Sequence, residues 1–146
     1  MRLLVCGGRE WGWVKTLGDN VLDTMSPRDV AVYRERMRQA MTQRKKTFDV
    51  LDAIHLKTDG IDVVIHGDAR GADRLADLWA TSRDVDVERF PADWHGLGRA
   101  AGPLRNARML TDGAPDVVVA FPGGHGTANM IGQALDAGVE VMDLSL

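Results

Sequence analysis

The sequence predicts an α/β fold in which a Rossmann-like, doubly wound parallel sheet of about five strands carries helices on both faces. Two observations lead to this fold class. Short apolar runs alternate with segments of helical periodicity, and three of the runs end in glycine-containing turns. Strands that are apolar along their whole length are typical of parallel sheets covered on both sides. Right-handed crossovers then bring the carboxyl ends of all strands to one edge of the sheet.

Five apolar runs are the predicted strands. They cover residues 3–6, 61–65, 85–90, 117–121 and 139–144. Two helices are predicted between them from side chains that recur on one face. Residues 72–82 carry Leu75, Leu78 and Trp79, and residues 127–137 carry Met130, Ile131, Ala134 and Leu135. Gly138 follows the second helix at the position where a left-handed glycine often ends a helix.

The stretch from residue 11 to residue 57 is longer than one crossover needs, and we predict a long inserted helix at about 26–57. Ser26 supplies an N-cap, Pro27 a first helical residue and Asp29 an acid in the first turn. This segment holds eight Lys and Arg residues against four Asp and Glu residues. We interpret the excess as a solvated outer face, and a basic wall or an oligomer contact is the alternative.

Composition narrows the class of protein. The 146 residues are expected to form one domain, 1–146, and the net charge of −3 disfavours a protein that coats nucleic acid. The single cysteine, Cys6, excludes an intrachain disulfide and is interpreted as a buried strand residue rather than a reactive thiol. No apolar run approaches the length of a membrane span, and no secretory signal is recognisable, so a cytoplasmic protein is expected. No His, Cys or Asp spacing predicts a metal site.

The strongest functional motif is the turn after the fourth predicted strand, which runs through Pro122, Gly123, Gly124, His125, Gly126 and Thr127 into a helix. Glycines let the backbone approach a ligand closely, and the start of the helix offers free N–H groups and a positive dipole end. The turn therefore predicts a phosphate cradle. It lacks the Lys-Ser/Thr pair of a Walker loop and the full Gly-x-Gly-x-x-Gly fingerprint. Thr127 either donates its hydroxyl to a ligand or caps the helix.

Two other strand ends add polar residues at the same predicted edge. Arg9 and Arg70 are candidates to bind phosphate oxygens, and Asp68 or Asp73 to accept from ribose hydroxyls. For Asp73, a negative charge that complements the dipole of the following helix is the alternative. Pro103 suits the first turn of a helix, which brings Arg105 and Asn106 close to this edge. The candidate ligand-binding residues are Gly7, Gly8, Arg9, Gly67, Asp68, Arg70, Gly71, Asp73, Arg105, Asn106, Pro122, Gly123, Gly124, His125, Gly126 and Thr127.

In these motifs the sequence resembles the YspA-type branch of the SLOG superfamily, relatives of the LOG and DprA proteins. The resemblance spans nearly the whole chain in order, except for the long helix. Its pieces are Gly7-Gly8-Arg9, His66-Gly67-Asp68, Gly71-Ala72-Asp73, Ala92-Asp93-Trp94, Ala101-Gly102-Pro103 with Arg105-Asn106, and Phe121-Pro122-Gly123-Gly124 with Gly126-Thr127. It implies a Rossmann-like fold that binds nucleotides or nucleotide-derived signals, commonly as a homodimer.

The resemblance bears on catalysis as well. LOG proteins are phosphoribohydrolases that use an arginine, which Arg105 resembles, and a glutamate in the helix after the glycine-rich turn. That glutamate position falls on Met130, and a thioether supplies no negative charge for an oxocarbenium-like transition state. The candidate catalytic residues are therefore Asp68, Arg105 and His125, with His66 as a further possible acid. Trp94, Trp11 and Trp13 either stack on a base or pack in the fold.

Two functions from different classes follow. The favoured one is a module that binds a nucleotide-derived small molecule as a sensor or a sequestering protein, with no required cofactor. The alternative is a hydrolase of nucleotides or ADP-ribose-type compounds. A weaker third function is single-stranded nucleic-acid binding by the basic face of residues 26–57, and the acidic net charge makes a nucleic-acid partner the less favoured expectation.

Overall fold

The computed structural model describes residues 1–145, and its sheet confirms the predicted fold class. Five parallel strands lie in the order β3-β2-β1-β4-β5. They are β1 (Arg2–Cys6), β2 (Val63–His66), β3 (Asp86–Arg89), β4 (Val117–Ala120) and β5 (Glu140–Asp143). The helices are α1 (Asp19–Leu22), α2 (Pro27–Lys57), α3 (Ala72–Ser82), α4 (Trp94–Leu97), α5 (Ala101–Thr111) and α6 (His125–Asp136), with a 3₁₀ turn at Gly98–Ala100.

Alternating side chains of the strands supply two cores, one on each face of the sheet. On one face Leu3 and Val5 pack with residues of α2 and α3, among them the fully buried Leu51 and Trp79. On the other face Leu4 packs with residues of α5 and α6. Because both faces are covered, the central strands are apolar along their whole length, and this is the pattern from which they were predicted.

The long helix α2 begins where the sequence predicts it. Ser26 is the N-cap, and its Oγ accepts a hydrogen bond from the backbone N–H of Asp29 at 3.1 Å. The helix is fixed to α3 partly through Asp52, which accepts from Trp79 Nε1 at 2.8 Å. No helix within residues 1–145 is both long enough and apolar enough to cross a membrane.

Two predicted boundaries differ from the structure by two residues, and several others differ by one. Strand β2 begins at Val63 rather than residue 61, because its pairing with β1 begins at Arg2 and Val63. Helix α6 begins at His125, two residues earlier than predicted, because the glycine-rich turn enters the helix directly after Gly124. Gly138 follows α6 with a φ of +73°, as predicted.

The order of the strands places a crevice beside β1. The chain adds β2 and β3 on one side of β1 and then crosses to add β4 and β5 on the other. The register of β1 and β4 pairs Cys6 with Ala120, so both strands end at the same level. In doubly wound sheets this point of reversal is where ligands bind.

Candidate functional site

The turns after β1 and β4 are packed against each other at this crevice. The N–H of Gly8 donates to the carbonyl of Pro122 at 2.9 Å, and the carbonyl of Gly8 accepts from Ala72 N at 3.2 Å. A side chain at Gly7 would put its Cβ 2.6 Å from the Cβ of Ala72. These glycines therefore let three segments of backbone meet, and the Gly8 N–H is occupied within the protein.

The start of α6 opens into the crevice without a cap. Gly124 is the N-cap residue and has no side chain to accept from the first turn, and the first helical hydrogen bond is that from Ala128 N to Gly124 O at 3.0 Å. Within residues 1–145, no atom accepts a hydrogen bond from the N–H groups of residues 125–127. Thr127 lies inside the first turn and is buried, so it is not the cap that the alternative interpretation expected. The positive end of a helix of 12 residues thus faces the crevice with free donors.

Arg105 is held beside this helix start by α5. Its Nη1 donates to Gly67 O at 2.5 Å, and its Nε donates to Asn106 Oδ1 at 3.0 Å. Asn106 is itself buried and donates from Nδ2 to Gly126 O at 3.2 Å and to Asn129 Oδ1 at 3.1 Å. The hydrogen bonds from Asn106 therefore join α5 to α6 and fix the direction of the Arg105 guanidinium.

Arg9 faces the same crevice from the turn after β1. Its guanidinium lies over the ring of Trp94, 5.2 Å from the centroid. Among the described residues neither Arg9 nor Arg105 has a carboxylate within 4.0 Å. Burial lowers the pKa of Arg105; the charge of Asp73 opposes this effect, and the positive charge of Arg9 adds to it. The positive charges of Arg9 and Arg105 therefore lie in one crevice, and the charge of Asp73 compensates them only in part.

Two aspartates follow β2, and their surroundings differ. Asp73 is buried, and its Oδ2 accepts from Gly67 N at 3.1 Å and Ala69 N at 3.2 Å, so it holds the turn in place. Burial raises the pKa of Asp73, and nearby His66, the Ala69 N–H and Arg105 only partly offset this. Asp68 has a left-handed backbone, with a φ of +59°. Its Oδ1 is enclosed and forms an ion pair with Arg74 Nη2 at 3.2 Å, but no donor is aligned to make a hydrogen bond with it.

His66 and His125 both lie outside the crevice. His66 is fully buried, its Nδ1 accepts from Asp68 N at 2.9 Å, and its Nε2 is 2.6 Å from Asp77 Oδ2. Because both nitrogens have internal partners, His66 orients the turn that carries Asp68. His125 is exposed at the first position of α6.

The crevice contains two adjoining cavities of about 350 and 400 Å³. The first is lined by nine predicted ligand residues, which are Gly7, Gly8, Arg9, Asp73, Arg105, Asn106, Gly124, Gly126 and Thr127. The second is lined by Gly67, Asp68 and Arg70 together with Arg9 and Arg105. Pro122 and Gly123 line a neighbouring cavity of about 390 Å³. Gly71 and His125 line none of these three cavities.

Several lining residues were not predicted as ligand contacts. Trp94 borders both cavities, Ala69 lies between them, and Gly102 and Met109 of α5 line the first. Trp94 was predicted either to stack on a base or to pack in the fold, and no local pattern indicates that its ring lies under the Arg9 guanidinium. Cys6 is on the floor of the first cavity, where burial raises its pKa to about 12, so it is a protonated structural thiol.

A larger cavity of about 830 Å³ lies elsewhere, between residues 10–25 and α2. Its lining mixes acids, bases and apolar groups, and it is away from the strand ends and the start of α6. It adjoins the crevice through Arg70, whose guanidinium lies over the Trp13 ring at 4.0 Å and pairs with Glu10. We therefore take the crevice, and not this larger cavity, as the candidate site.

The resemblance to LOG proteins aligns their glutamate with Met130 of α6. Its side chain is fully buried in the core formed by Leu4, Val118 and Ala134. The carboxylates that line the two cavities are those of Asp73 and Asp68. Within residues 1–145, no group of three or more His, Cys, Asp or Glu side chains is placed to hold a metal ion.

This fold and crevice define a Rossmann-like α/β protein with glycine-rich strand ends that meet at the point of strand reversal. The chain belongs to the YspA, cpYpsA-related SLOG family, whose sequence profile matches residues 1–96. The resemblance inferred from the sequence is thereby confirmed, and membership indicates nucleotide-related binding or processing. The match includes the turns after β1 and β2, whereas Arg105 and residues 121–127 lie beyond it.

A known protein is similar over most of the chain. Gene 61 protein of Mycobacterium phage D29 is 42% identical over 108 residues, which cover 68% of this chain and 85% of the phage protein. No solved structure gives a significant match.

Proposed function

We propose that the protein binds a nucleotide or a nucleotide-derived small molecule, with a phosphate group at the start of α6, as a sensor or a sequestering module. The observation that carries the proposal is the pair Arg9 and Arg105, which face one cavity beside the uncapped start of α6 and have no ion-pair partner among residues 1–145. A phosphate supplies the negative charge and the acceptor oxygens that match two guanidinium groups and free N–H donors. Family membership supports a nucleotide as its source.

Isothermal titration calorimetry with mono-, di- and triphosphates of adenosine, guanosine and uridine tests this proposal. We expect binding of at least one nucleotide, and Arg9→Ala should weaken it at least tenfold, about the effect of losing one charged hydrogen bond. Arg28→Ala is the matched control, because Arg28 is also exposed but lines none of the three crevice cavities. Absence of binding for the whole panel, or equal loss in both variants, contradicts the proposal.

A hydrolase remains the second candidate because of Asp68. This carboxylate lines the second cavity from a left-handed backbone position, and backbone strain and buried polar atoms without a hydrogen bond concentrate at functional sites. Incubation of the bound nucleotide with the protein, followed by chromatography, separates the two functions. Unchanged ligand supports the binding module, whereas release of base or ribose phosphate that Asp68→Asn abolishes supports the hydrolase.

Assembly as a homodimer, which the family resemblance implies, is a separate part of this proposal. Sedimentation velocity of the protein with and without nucleotide measures it directly. A monomer under both conditions would refute the homodimer, and the proposed nucleotide binding would be unaffected.

A further inference from the structure

We infer that the turn after β2, residues 67–71, is an acid-sensitive switch, in which protonation of His66 releases the turn and weakens ligand binding in the crevice. The inference rests on the proposed function, since it assumes a phosphate beside Arg9 and Arg105. It goes further by giving a regulatory role to His66, which is fully buried and lines none of the three crevice cavities.

Three consecutive backbone N–H groups of the turn donate to titratable side chains. Asp73 Oδ2 accepts from Gly67 N at 3.1 Å and from Ala69 N at 3.2 Å. Between them, His66 Nδ1 accepts from Asp68 N at 2.9 Å. A ring nitrogen that accepts a hydrogen bond carries no proton, so the neutral ring of His66 has its single proton on Nε2. The conformation of the turn therefore depends on the protonation state of His66.

The other nitrogen of the His66 ring is held by a carboxylate. Nε2 lies 2.6 Å from Asp77 Oδ2, and Asp77 accepts two hydrogen bonds from Arg89, at 2.7 and 3.0 Å. The hydrogen bonds from Arg89 lower the pKa of Asp77, so this carboxylate stays ionised in mild acid and keeps its bond to Nε2. A second proton on the ring therefore goes to Nδ1, where it points at the N–H of Asp68. Two donors then face each other, and the hydrogen bond from Asp68 N is lost.

The turn transmits this loss to the crevice through Arg105. Arg105 Nη1 donates to Gly67 O, and the guanidinium lies so close to Gly67 that a Cβ at this position would collide with it. Ala69 lines both crevice cavities, and Asp68 and Arg70 line the second one. When the turn shifts, Arg105 loses the carbonyl that directs its guanidinium, and the walls of both cavities change. Weaker binding of the phosphate follows.

The charges around His66 act in the opposite direction, but more weakly. The charged and titratable groups around the ring and its turn are Asp73 and Asp77 on α3, Arg89 on β3, Asp68 with its partner Arg74, Arg105 on α5, and Cys6 on β1, whose pKa burial raises to about 12. An imidazolium adds a positive charge to this set, which by itself favours phosphate in the crevice. That charge lies behind the turn and is shielded by the Asp77 carboxylate at 2.6 Å, whereas the contact that Arg105 loses is direct. The loss of the turn should therefore prevail.

Nuclear magnetic resonance of the ligand-free wild type tests the switch itself. The ring nitrogens of His66 should show a neutral ring protonated at Nε2 at about pH 7.5 and an imidazolium at about pH 5.5, the range in which histidine titrates. Over this range the protection of the Asp68 amide against hydrogen exchange, corrected for the intrinsic effect of pH, should fall about tenfold, the effect of losing one hydrogen bond. A ring that stays neutral at about pH 5.5, or an Asp68 amide that stays protected, overturns the inference.

His66→Asn tests the effect on binding. The asparagine oxygen lies near the place of Nδ1 and accepts from Asp68 N without titrating. Calorimetry uses the tightest-binding nucleotide of the adenosine, guanosine and uridine panel, at about pH 7.5 and about pH 5.5. Between these values the wild type should lose about tenfold more affinity than His66→Asn. Protonation of the phosphate of the nucleotide weakens binding to both proteins alike and cancels from this comparison.

His55→Asn is the matched control. His55 Nδ1 also accepts from a backbone N–H, that of Ile61 at 2.9 Å, but this bond precedes β2 and lies at the end of the strand away from the crevice. His55 lines none of the three crevice cavities. This variant should therefore lose as much affinity in acid as the wild type does.

The outcomes separate the inference from the proposed function. A wild type that loses no more affinity in acid than His66→Asn overturns the inference and leaves nucleotide binding intact. Failure of every nucleotide to bind at about pH 7.5 contradicts the proposed function instead. The wild-type spectra need neither a nucleotide nor a substitution, so they test the switch even if His66→Asn fails to fold.

Discussion

Two aspartates on α3 illustrate how single residues respond to their surroundings. Burial dominates at Asp73 and raises its pKa, although two backbone N–H groups stabilise the carboxylate. At Asp77 the hydrogen bonds from Arg89 dominate and lower its pKa, and His66 contributes in the same direction. The pKa of a carboxyl group therefore rises or falls according to whether desolvation or a charged donor prevails.

Asp73→Asn should change how stability depends on pH. The folded wild type binds this proton more tightly than the unfolded chain, so its free energy of unfolding falls as pH rises from 3.8 through the raised pKa. The amide oxygen can still accept from the turn, but the variant carries no charge there. Urea unfolding between pH 3.5 and pH 7 should show that this decline is absent from the variant, and an unchanged profile would contradict the burial argument.

For Asp77→Asn we expect the opposite effect on the pH dependence of the free energy of unfolding. The pKa of Asp77 is lower in the folded protein than in the unfolded chain. Its ionised carboxylate therefore stabilises the fold above pH 3.8, and this stabilisation is lost as the pH falls through the lower folded pKa. The variant should therefore be less stable than wild type at pH 7, and the difference should shrink in acid. The same urea series measures it, and a difference that grows in acid would be inconsistent with the ion pair to Arg89.

Met130→Glu restores the glutamate of the LOG pattern in sequence but not in environment. The side chain at this position is fully buried among apolar residues. An unpaired buried charge costs about 3–5 kcal/mol, so we expect that loss in the free energy of unfolding. Met130→Leu, which conserves apolar volume, should cost under about 1.5 kcal/mol. Equal stability of the two variants would show that position 130 reaches solvent or ligand.

At the scale of elements, the start of α6 is the part that the proposed function uses. Gly126 and Gly132 both lie in this helix, and a Cβ at either position would meet no atom within 4 Å. Only Gly126 lines the first cavity. Gly126→Val should therefore weaken nucleotide binding at least tenfold by occupying space beside the free N–H groups, whereas Gly132→Val should not. Calorimetry on both variants measures this, and equal affinities would show that the phosphate does not bind at the start of α6.

The start of α2 makes a second prediction at this scale. Ser26 Oγ accepts from Asp29 N at 3.1 Å, and an N-cap bond of this kind contributes about 1 kcal/mol. Ser26→Ala should lower the free energy of unfolding by that amount, while Ser26→Asp keeps an acceptor and should not. Chemical denaturation measures both. If α2 unfolds separately from the sheet, the loss will instead appear as an early, partial transition.

Over the whole molecule, the parts set by local patterns were predictable. The buried strands are continuous apolar runs, Ser26 and Pro27 mark the start of α2, and Gly138 marks the end of α6. The convergence of three glycine-containing turns followed from the shared edge of a parallel sheet. These rules use only neighbouring residues and general topology, which is why they were sufficient for the fold.

The details of the crevice were not predictable in this way. Arg9 lies over Trp94, and Arg105 donates to Gly67 O, and each pair is far apart in the chain. The left-handed backbone of Asp68 follows from the turn that His66 and Asp73 hold together. Side-chain direction at such places depends on tertiary packing. The sequence therefore predicted most of the residues that line the crevice, although Gly71 and His125 line none of its cavities, and it did not predict which donors are already occupied.

The charge distribution of the whole molecule leads to a last prediction, on stability without ligand. Arg9 has no carboxylate partner among the described residues, and its positive charge repels that of Arg105. Arg9→Ala should therefore leave the melting temperature of the ligand-free protein unchanged or slightly higher, as expected where function is maintained at the expense of stability. A nucleotide at 100 times its dissociation constant should stabilise the wild type by about 2.7 kcal/mol, and at the same concentration a tenfold weaker Arg9→Ala should lose about half of that gain. Differential scanning calorimetry of both proteins, with Arg28→Ala as control, measures the two effects together. A lower melting temperature for ligand-free Arg9→Ala would mean that Arg9 stabilises the fold rather than the bound phosphate.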